Sequence, residues 1–343
     1  MTDAKVLDIA EGDVRGILRR GYGLSAPEIE VVSGEIATVC RVQVGPRVLA
    51  LKAMPADDPA SEALARWQTE AMVKLWRSGL PVPETIRDGE GRELHPHHAD
   101  GRLVLAHLTT WLPDLALSDV PVDTSLLGDV GRTAARVHLA LRDLRRPPAP
   151  TEHPWELRRT AETLRSVVGQ VADPLVVRLA GRAREVFEHR VAPHLAELPW
   201  SVVHHDLHDS NLLVGADAAG RRRITGILDF GDLVLGPRLA ELAVAAGYAA
   251  RSTAAPATAL VDVATGWSEI CALTPREQEC LLPAVVSRLA VNATVWAARM
   301  TGTRAAYARS RVNGTVEALD RLLAADLDDF LRDLGATLVD VGS

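Results

Sequence analysis

Lysine is almost missing from this chain. Of its 38 lysines and arginines only Lys5, Lys52 and Lys74 are lysines, so any chemistry that needs an ammonium group has three candidates. Cysteine is equally sparse. Cys40, Cys271 and Cys280 fall in no metal-binding or disulfide spacing, which excludes a disulfide-stapled scaffold and fits a reducing, cytoplasmic compartment. There is no excess of positive charge: the formal net charge of -7 argues against a nucleic-acid or anionic-membrane surface and permits a cationic small substrate. No uncharged apolar run approaches the ~18 residues that would cross a bilayer. The start, Met1-Thr2-Asp3-Ala4-Lys5, lacks the basic-then-apolar pattern of a secretory signal. Internal repeats are also lacking. What is present is length and apolar content: 343 residues, 47% of them hydrophobic, can bury a sizeable core in two domains or two lobes around a cleft.

Hydrophobic patterning divides the chain. Residues 28–32, 38–44 and 48–52 alternate as strands around Ser33-Gly34-Glu35 and Gly45-Pro46-Arg47, and 102–108 reads as another strand. Leu64, Trp67, Ala71 and Leu75 recur at helical spacing over 60–78, a helix that Gly79 and Pro81-Val82-Pro83 bring to an end. From about residue 122 the pattern is mainly helical, with helices expected over 125–144, 154–171 and most of 237–335. Trp67, Trp76, Trp155, Trp267 and Trp296 sit at helical spacing and read as core. The expected fold is α+β and bilobal: a strand-rich N-terminal lobe over 1–109, a junction at 110–113 and a mainly helical lobe over 114–343.

Chemistry concentrates in His204-His205-Asp206-Leu207-His208-Asp209-Ser210-Asn211 and in Ile227-Leu228-Asp229-Phe230-Gly231. Asp206 stands two residues after a histidine and five before Asn211, and Asp229 follows 18 residues later. Phosphoryl transfer needs this set: one carboxylate to receive an acceptor hydroxyl proton, and an amide oxygen and a second carboxylate to hold divalent metal on nucleotide phosphates. The segments 212–214 and 223–228 read as a hairpin around a Gly- and Asp-containing turn, so Asn211 and Asp229 can meet at its open end. These oxygen donors suit Mg²⁺. His204, His205, His208 and Asp209 lack the cysteine partners or helical histidine pair of a zinc site. His204 is expected to brace the loop around Asp206.

Lys52, after the apolar strand, is the lysine placed to reach nucleotide phosphates. Its carboxylate partner should lie on the following helix, where Glu70 is preferred to Glu62. Gly34 is a poor phosphate loop whose amides could still cover the nucleotide. Thr110 and Leu112 follow a strand at the lobe junction, where free backbone groups could meet a purine edge. Asp209, Asp232 and Glu241 are candidate carboxylates for an ammonium group on the acceptor.

These residues resemble the aminoglycoside phosphotransferase and choline kinase-like superfamily, whose bilobal fold is protein-kinase-like. The likeness runs over roughly 28–250, through Ala50-Leu51-Lys52, Glu70, Leu80-Pro81-Val82-Pro83, Trp111-Leu112-Pro113-Asp114, His204-x-Asp206-x4-Asn211 and Asp229-Phe230-Gly231. It implies, in that order, a phosphate lysine, its ion-pair partner, a helix exit, a nucleotide hinge, a catalytic loop and a metal ligand. Within the superfamily, Gln68-Thr69-Glu70-Ala71-Met72, His208 to Val214 and Gly226 to Asp232 followed by Glu241-Leu242-Ala243 are similar to hydroxylysine kinases. Three departures stand out: His205 and Asp114 occupy positions usually held by glycine, and the loop over 33–35 is poor in glycine. The implied activity is Mg²⁺-dependent transfer of the γ-phosphoryl of ATP or GTP to a hydroxyl of a small amine-bearing acceptor, a hydroxylysine-like amino acid foremost. The competing expectations are an antibiotic O-phosphotransferase and an inactive nucleotide-binding scaffold.

Overall fold

A computed structural model describes residues 9–32, 37–149, 153–300, 312 and 314–341. Gly34 lies outside the described residues. The chain forms two compact units, one of Met1–Pro113 with Pro147–Pro150, the other of Asp114–Arg146 with Thr151–Ser343.

The N-terminal unit opens with α1 (Glu11–Tyr22), which the sequence reading passed over. Val14, Ile17 and Leu18 bury one stripe of it, and Gly23 closes it at a left-handed φ of 66°. There follow β1 (Glu28–Val32), β2 (Thr38–Val44), β3 (Arg47–Pro55), α2 (Pro59–Arg77), β4 (Thr85–Ile86), β5 (His95–Ala99) and β6 (Arg102–Thr110). The strands form an antiparallel sheet in the order β1-β2-β3-β6-β4, with β5 also paired to β6. Alternation puts Cys40, Val42, Leu49, Leu51, Ala53, Ala106 and Leu108 into one core with the apolar stripe of α1. Strand β3 runs three residues past Lys52, because pairing continues to Pro55 opposite Val104. Lys52 is therefore mid-strand, between Val39 and His107, and not at a strand end. Helix α2 starts where Asp58 caps the Ala60 and Ser61 N–H groups and Pro59 takes the first turn.

The C-terminal unit contains β7 (Leu115–Ala116), α3 (Thr124–Leu141), α4 (Thr160–Val167), α5 (Pro174–Arg190), β8 (Trp200–Val203), β9 (Leu212–Ala216), β10 (Arg222–Ile227) and β11 (Val234–Pro237). It continues with α6 (Leu239–Ala250), α7 (Pro256–Ser268), α8 (Pro275–Ala298), α9 (Thr315–Ala324) and α10 (Leu327–Val341). The helix expected over 154–171 is shorter. The Glu156 carboxylate takes the His153 N–H and the Arg158 Nε–H, folding a turn there and a 3₁₀ step over 157–159, so α4 begins only at Thr160. Trp76 corrects the core reading in the other unit: it is 45% exposed on α2. Asp114, in its glycine-favoured position, accepts the Thr225 Oγ1 hydroxyl at 2.6 Å and so ties β10 to the start of the unit.

Helix α8 is 24 residues long and apolar enough to cross a membrane by length and composition, yet its apolar stretch is wholly buried within the protein. Its first turn is a capping box of Thr274 and Glu277, and the fully buried Glu277 carboxylate accepts two 2.7 Å bonds from Arg238. Helices α3 and α7 touch through glycine. A Cβ on Gly131 would sit 1.9 Å from the Val263 carbonyl oxygen, and one on Gly266 would sit 2.0 Å from that of Gly128. Gly131→Ala must force these helices apart. The expected cost is about 1–3 kcal/mol of overpacking, read as a lowered urea midpoint against a Gly181→Ala control, where a Cβ meets nothing within 4 Å.

Candidate active site

Two antiparallel ribbons position the residues of interest. Val203 on β8 pairs with Val234 on β11, so the chain beyond that pair runs into His204 and His205 on one side and Leu233 and Asp232 on the other. Leu212 on β9 pairs with Ile227 on β10. One step further the Leu228 N–H donates to the Asn211 carbonyl at 2.8 Å, which brings Asp229 next to Asn211 at the open end of the hairpin. A tight turn sets the other end, where Asp217 accepts the Ala219 and Arg221 N–H groups and Gly220 takes φ 76°.

Asp206 is the centre of the arrangement. Its Oδ2 accepts a 2.7 Å hydrogen bond from Asn211 Nδ2 and lies 3.4 Å from His208 Nε2, and its Oδ1 accepts from Arg288 Nη2 at 3.2 Å. Asn211 Nδ2 also reaches the Asp206 carbonyl at 3.0 Å. That amide thus commits its nitrogen to Asp206, and its oxygen is the atom that could reach a cation. Asp229 is exposed, holds φ 55° and accepts the Gly231 N–H at 3.1 Å. One amide oxygen and one exposed carboxylate, completed by phosphate oxygens and water, fit a hard divalent cation.

His204 is fully buried. Its Nδ1 accepts the Asp206 N–H at 3.3 Å, which assigns the neutral tautomer with the proton on Nε2, and its ring meets Phe230 edge-on at 4.8 Å. Burial pushes the imidazole down to about 4, against the smaller opposing pull of Asp229 and Asp232. It is a neutral brace between the two motifs. His205 holds φ 69° and is almost fully buried. Only glycine adopts that conformation without steric cost, which is the physical reason the position favours glycine.

Beneath this loop Glu241 on α6 accepts the His204 N–H at 2.6 Å and the His205 N–H at 3.3 Å. Burial pushes its carboxyl up to about 8. Its expected role toward an acceptor is therefore corrected: at 0% exposure, with both oxygens turned to the loop, it anchors His204 and His205. Asp209 is corrected likewise, because its Oδ2 is clamped by Arg251 Nε and Nη2 at 2.8 and 2.6 Å. Asp232 has His153 Nε2 3.3 Å away. Burial works to raise its carboxyl, but the His153 hydrogen bond and the Arg288 charge outweigh it and hold the group well below the usual range.

In the N-terminal unit Lys52 shares its face of the sheet with His107, whose imidazole is pushed down to about 3 by burial and by the Lys52 charge. His107 Nε2 contacts Thr85 Oγ1 at 3.0 Å. Glu62 is bound to Arg66 on the surface of α2, and Glu70 is exposed on that helix with polar contacts of its own. Thr110 departs from its expectation. Because β6 runs to residue 110, its N–H donates to the Glu84 carbonyl at 3.0 Å and is not free, and the Trp111 N–H goes to Val48 at 3.2 Å. Leu112 is the part of that expectation left open.

Sequence reasoning missed Arg288, His153 and Tyr248. A signal for the first was present: a single arginine in Val285-Val286-Ser287-Arg288-Leu289-Ala290-Val291 must find a partner if the helix is buried.

Comparison with known proteins places the chain in a family. Residues 28–280 match the phosphotransferase enzyme family. A hydroxylysine kinase of Danio rerio is 26% identical over 292 residues, 82% of this chain and 81% of that protein. Two solved structures share the fold. A microcompartment-associated aminopropanol kinase has a TM-score of 0.70 at 16% identity, covering 93% of this chain and 98% of that one. Amicoumacin kinase, solved with AMP-PNP and Ca²⁺, has a TM-score of 0.68 at 13% identity, covering 93% and 96%. The fold class is that of the protein-kinase-like phosphotransferases, with a strand-rich N-terminal sheet and a helical C-terminal region. The chain belongs to the phosphotransferase enzyme family, as a small-molecule kinase that acts on a hydroxyl group.

Proposed function

We propose that the chain transfers the γ-phosphoryl of ATP or GTP to the hydroxyl of a small amine-bearing acceptor, a hydroxylysine-like amino acid in particular. The observation that carries this reading is the placement of Asp206, Asn211 and Asp229 at one hairpin mouth, with the Asp206 carboxylate oriented by the Asn211 amide at 2.7 Å. In this reading the acceptor oxygen attacks the γ-phosphorus and the bond to the β–γ bridging oxygen breaks. The nucleoside diphosphate leaves, and the hydroxyl proton passes to Asp206. In a loose transition state the carboxylate's main contribution is to aim the alcohol, and a fixed carboxylate does so without a raised pKa. Asn211 and Asp229 are the proposed ligands of Mg²⁺, which when bound would offset phosphate charge. Lys52, with Glu70, is proposed to bind the nucleotide phosphates, and Asp232 to face the acceptor's ammonium group.

An acceptor panel tests the reading. Release of ADP or GDP is followed with hydroxylated amino acids, amino alcohols and aminoglycosides, each with both nucleotides. Turnover is expected with a hydroxylysine-like acceptor. Turnover confined to aminoglycosides would replace that acceptor class, and nucleotide binding with no transfer to anything would leave only a scaffold. Lys52→Met is expected to lower kcat/KM for the nucleotide about 10- to 100-fold, the share of one charge-assisted phosphate contact. An unchanged value would remove Lys52 from the site.

A further inference from the structure

Arg288 projects from an apolar helix yet is 6% exposed. Its guanidinium lies 5.2 Å from the Trp155 ring centre and 5.8 Å from that of Tyr248, two aromatic faces that hold it in place. Nη1 donates to the Trp155 carbonyl at 3.4 Å and Nη2 to Asp206 Oδ1 at 3.2 Å. Nε is buried and has no hydrogen-bond partner among the described residues. His205 Nδ1 is also buried without one, and Arg288, His205, Trp155 and Thr160 line the same small pocket. Buried donors of this kind ordinarily have a partner, and a guanidinium edge matches the planar oxygens of a carboxylate.

The surrounding charge narrows the choice. An acceptor carrying only ammonium groups would meet a fixed cation beside Asp206. An amino acid can set its ammonium against Asp232, whose carboxyl feels the Arg288 charge, and its carboxylate against Arg288 itself. We infer that Arg288 recognises a carboxylate on the acceptor, so that the chain selects hydroxylated amino acids over the corresponding amino alcohols. This rests on the kinase reading above and adds the acidic group that the acceptor must carry. A bound carboxylate would occupy the Nε edge and leave the hydroxyl to Asp206.

The test is a selectivity ratio. With ATP and Mg²⁺, kcat/KM is measured for hydroxylysine, for its carboxamide and for the amino alcohol that lacks the carboxylate. The wild-type protein is expected to favour the free acid about 10- to 100-fold, the worth of one charge-assisted pair. Arg288→Met should collapse the acid-to-alcohol ratio toward one, and Arg288→Lys should keep an intermediate ratio because it retains charge without the fork. Loss of Asp206 positioning alone would lower both rates and leave the ratio within about threefold, which would overturn the inference. Wild-type indifference to the carboxylate would overturn it without any variant. If none of the three is phosphorylated while another hydroxylated amine is, the carboxylate inference falls and the kinase reading stands; if no acceptor of any class is used, both fall.

Discussion

Asp206→Ala and Asp206→Asn are expected to lower kcat about 100- to 10,000-fold, the range for removing a positioned proton acceptor, while nucleotide affinity changes by less than about threefold. The side chain explains both halves of that result. Asp206 lies on the loop after β8, where its N–H is fixed by His204 and its carboxylate by Asn211, His208 and Arg288. Nothing in that constellation belongs to the strands that carry Lys52. Alanine leaves the buried Arg288 without its carboxylate partner, so the asparagine variant is the cleaner probe: it keeps a hydrogen-bonding oxygen and loses only the charge and proton acceptance. Pre-steady-state turnover together with nucleotide titration separates the two quantities. Turnover in Asp206→Asn within tenfold of wild type would remove Asp206 from the reaction.

Acidification from pH 7 to pH 5 is expected to cost the C-terminal unit about 3 kcal/mol of stability. His138 and His204 are pushed down to about 4, and His205 well below its ordinary value, in each case first by burial. These histidines are neutral when folded and ionise near 6.5 when unfolded. Their contribution is complete above 6.5 and is lost as the pH falls toward 4, at about 2 kcal/mol for each by pH 5. Glu241 opposes them. Its folded carboxyl is raised from 4.5 to about 8, so the stability of its protonated form is complete below 4.5 and lost as pH rises through 8. It therefore returns about 2–3 kcal/mol over the same interval. Urea denaturation at the two pH values measures the net effect. His205→Gly should shrink the acid loss by one histidine's share while relieving the backbone at φ 69°. A flat profile in the wild type would show that these imidazoles are not held neutral.

Patterning made the sheet and the hairpin legible, because alternation and turn chemistry act within a few residues. β1 and β2 match their expected bounds, and Asn211 and Asp229 meet as the hairpin spacing implied. Where β3 and β6 end was not legible, since their last pairings depend on each other across about 50 residues of chain. The same extension removed the Thr110 N–H from the groups open to a ligand. Helix α5 was overlooked although Asp173 and Pro174 signal its start. Acidic residues gave the least away. Asp209, Asp232 and Glu241 look alike in sequence, and only packing separates a carboxylate clamped by Arg251, one beside His153 and one buried under the loop.

The central claim is transfer of phosphate to an alcohol oxygen of a hydroxylated amino acid. Phosphorus NMR of the product formed from ATP, Mg²⁺ and hydroxylysine tests it most directly. The expected result is a phosphomonoester resonance split by the proton on the hydroxyl-bearing carbon, growing in step with ADP. Inorganic phosphate accumulating with ADP and no ester, or ester formed on an aminoglycoside but never on the amino acid, would contradict it.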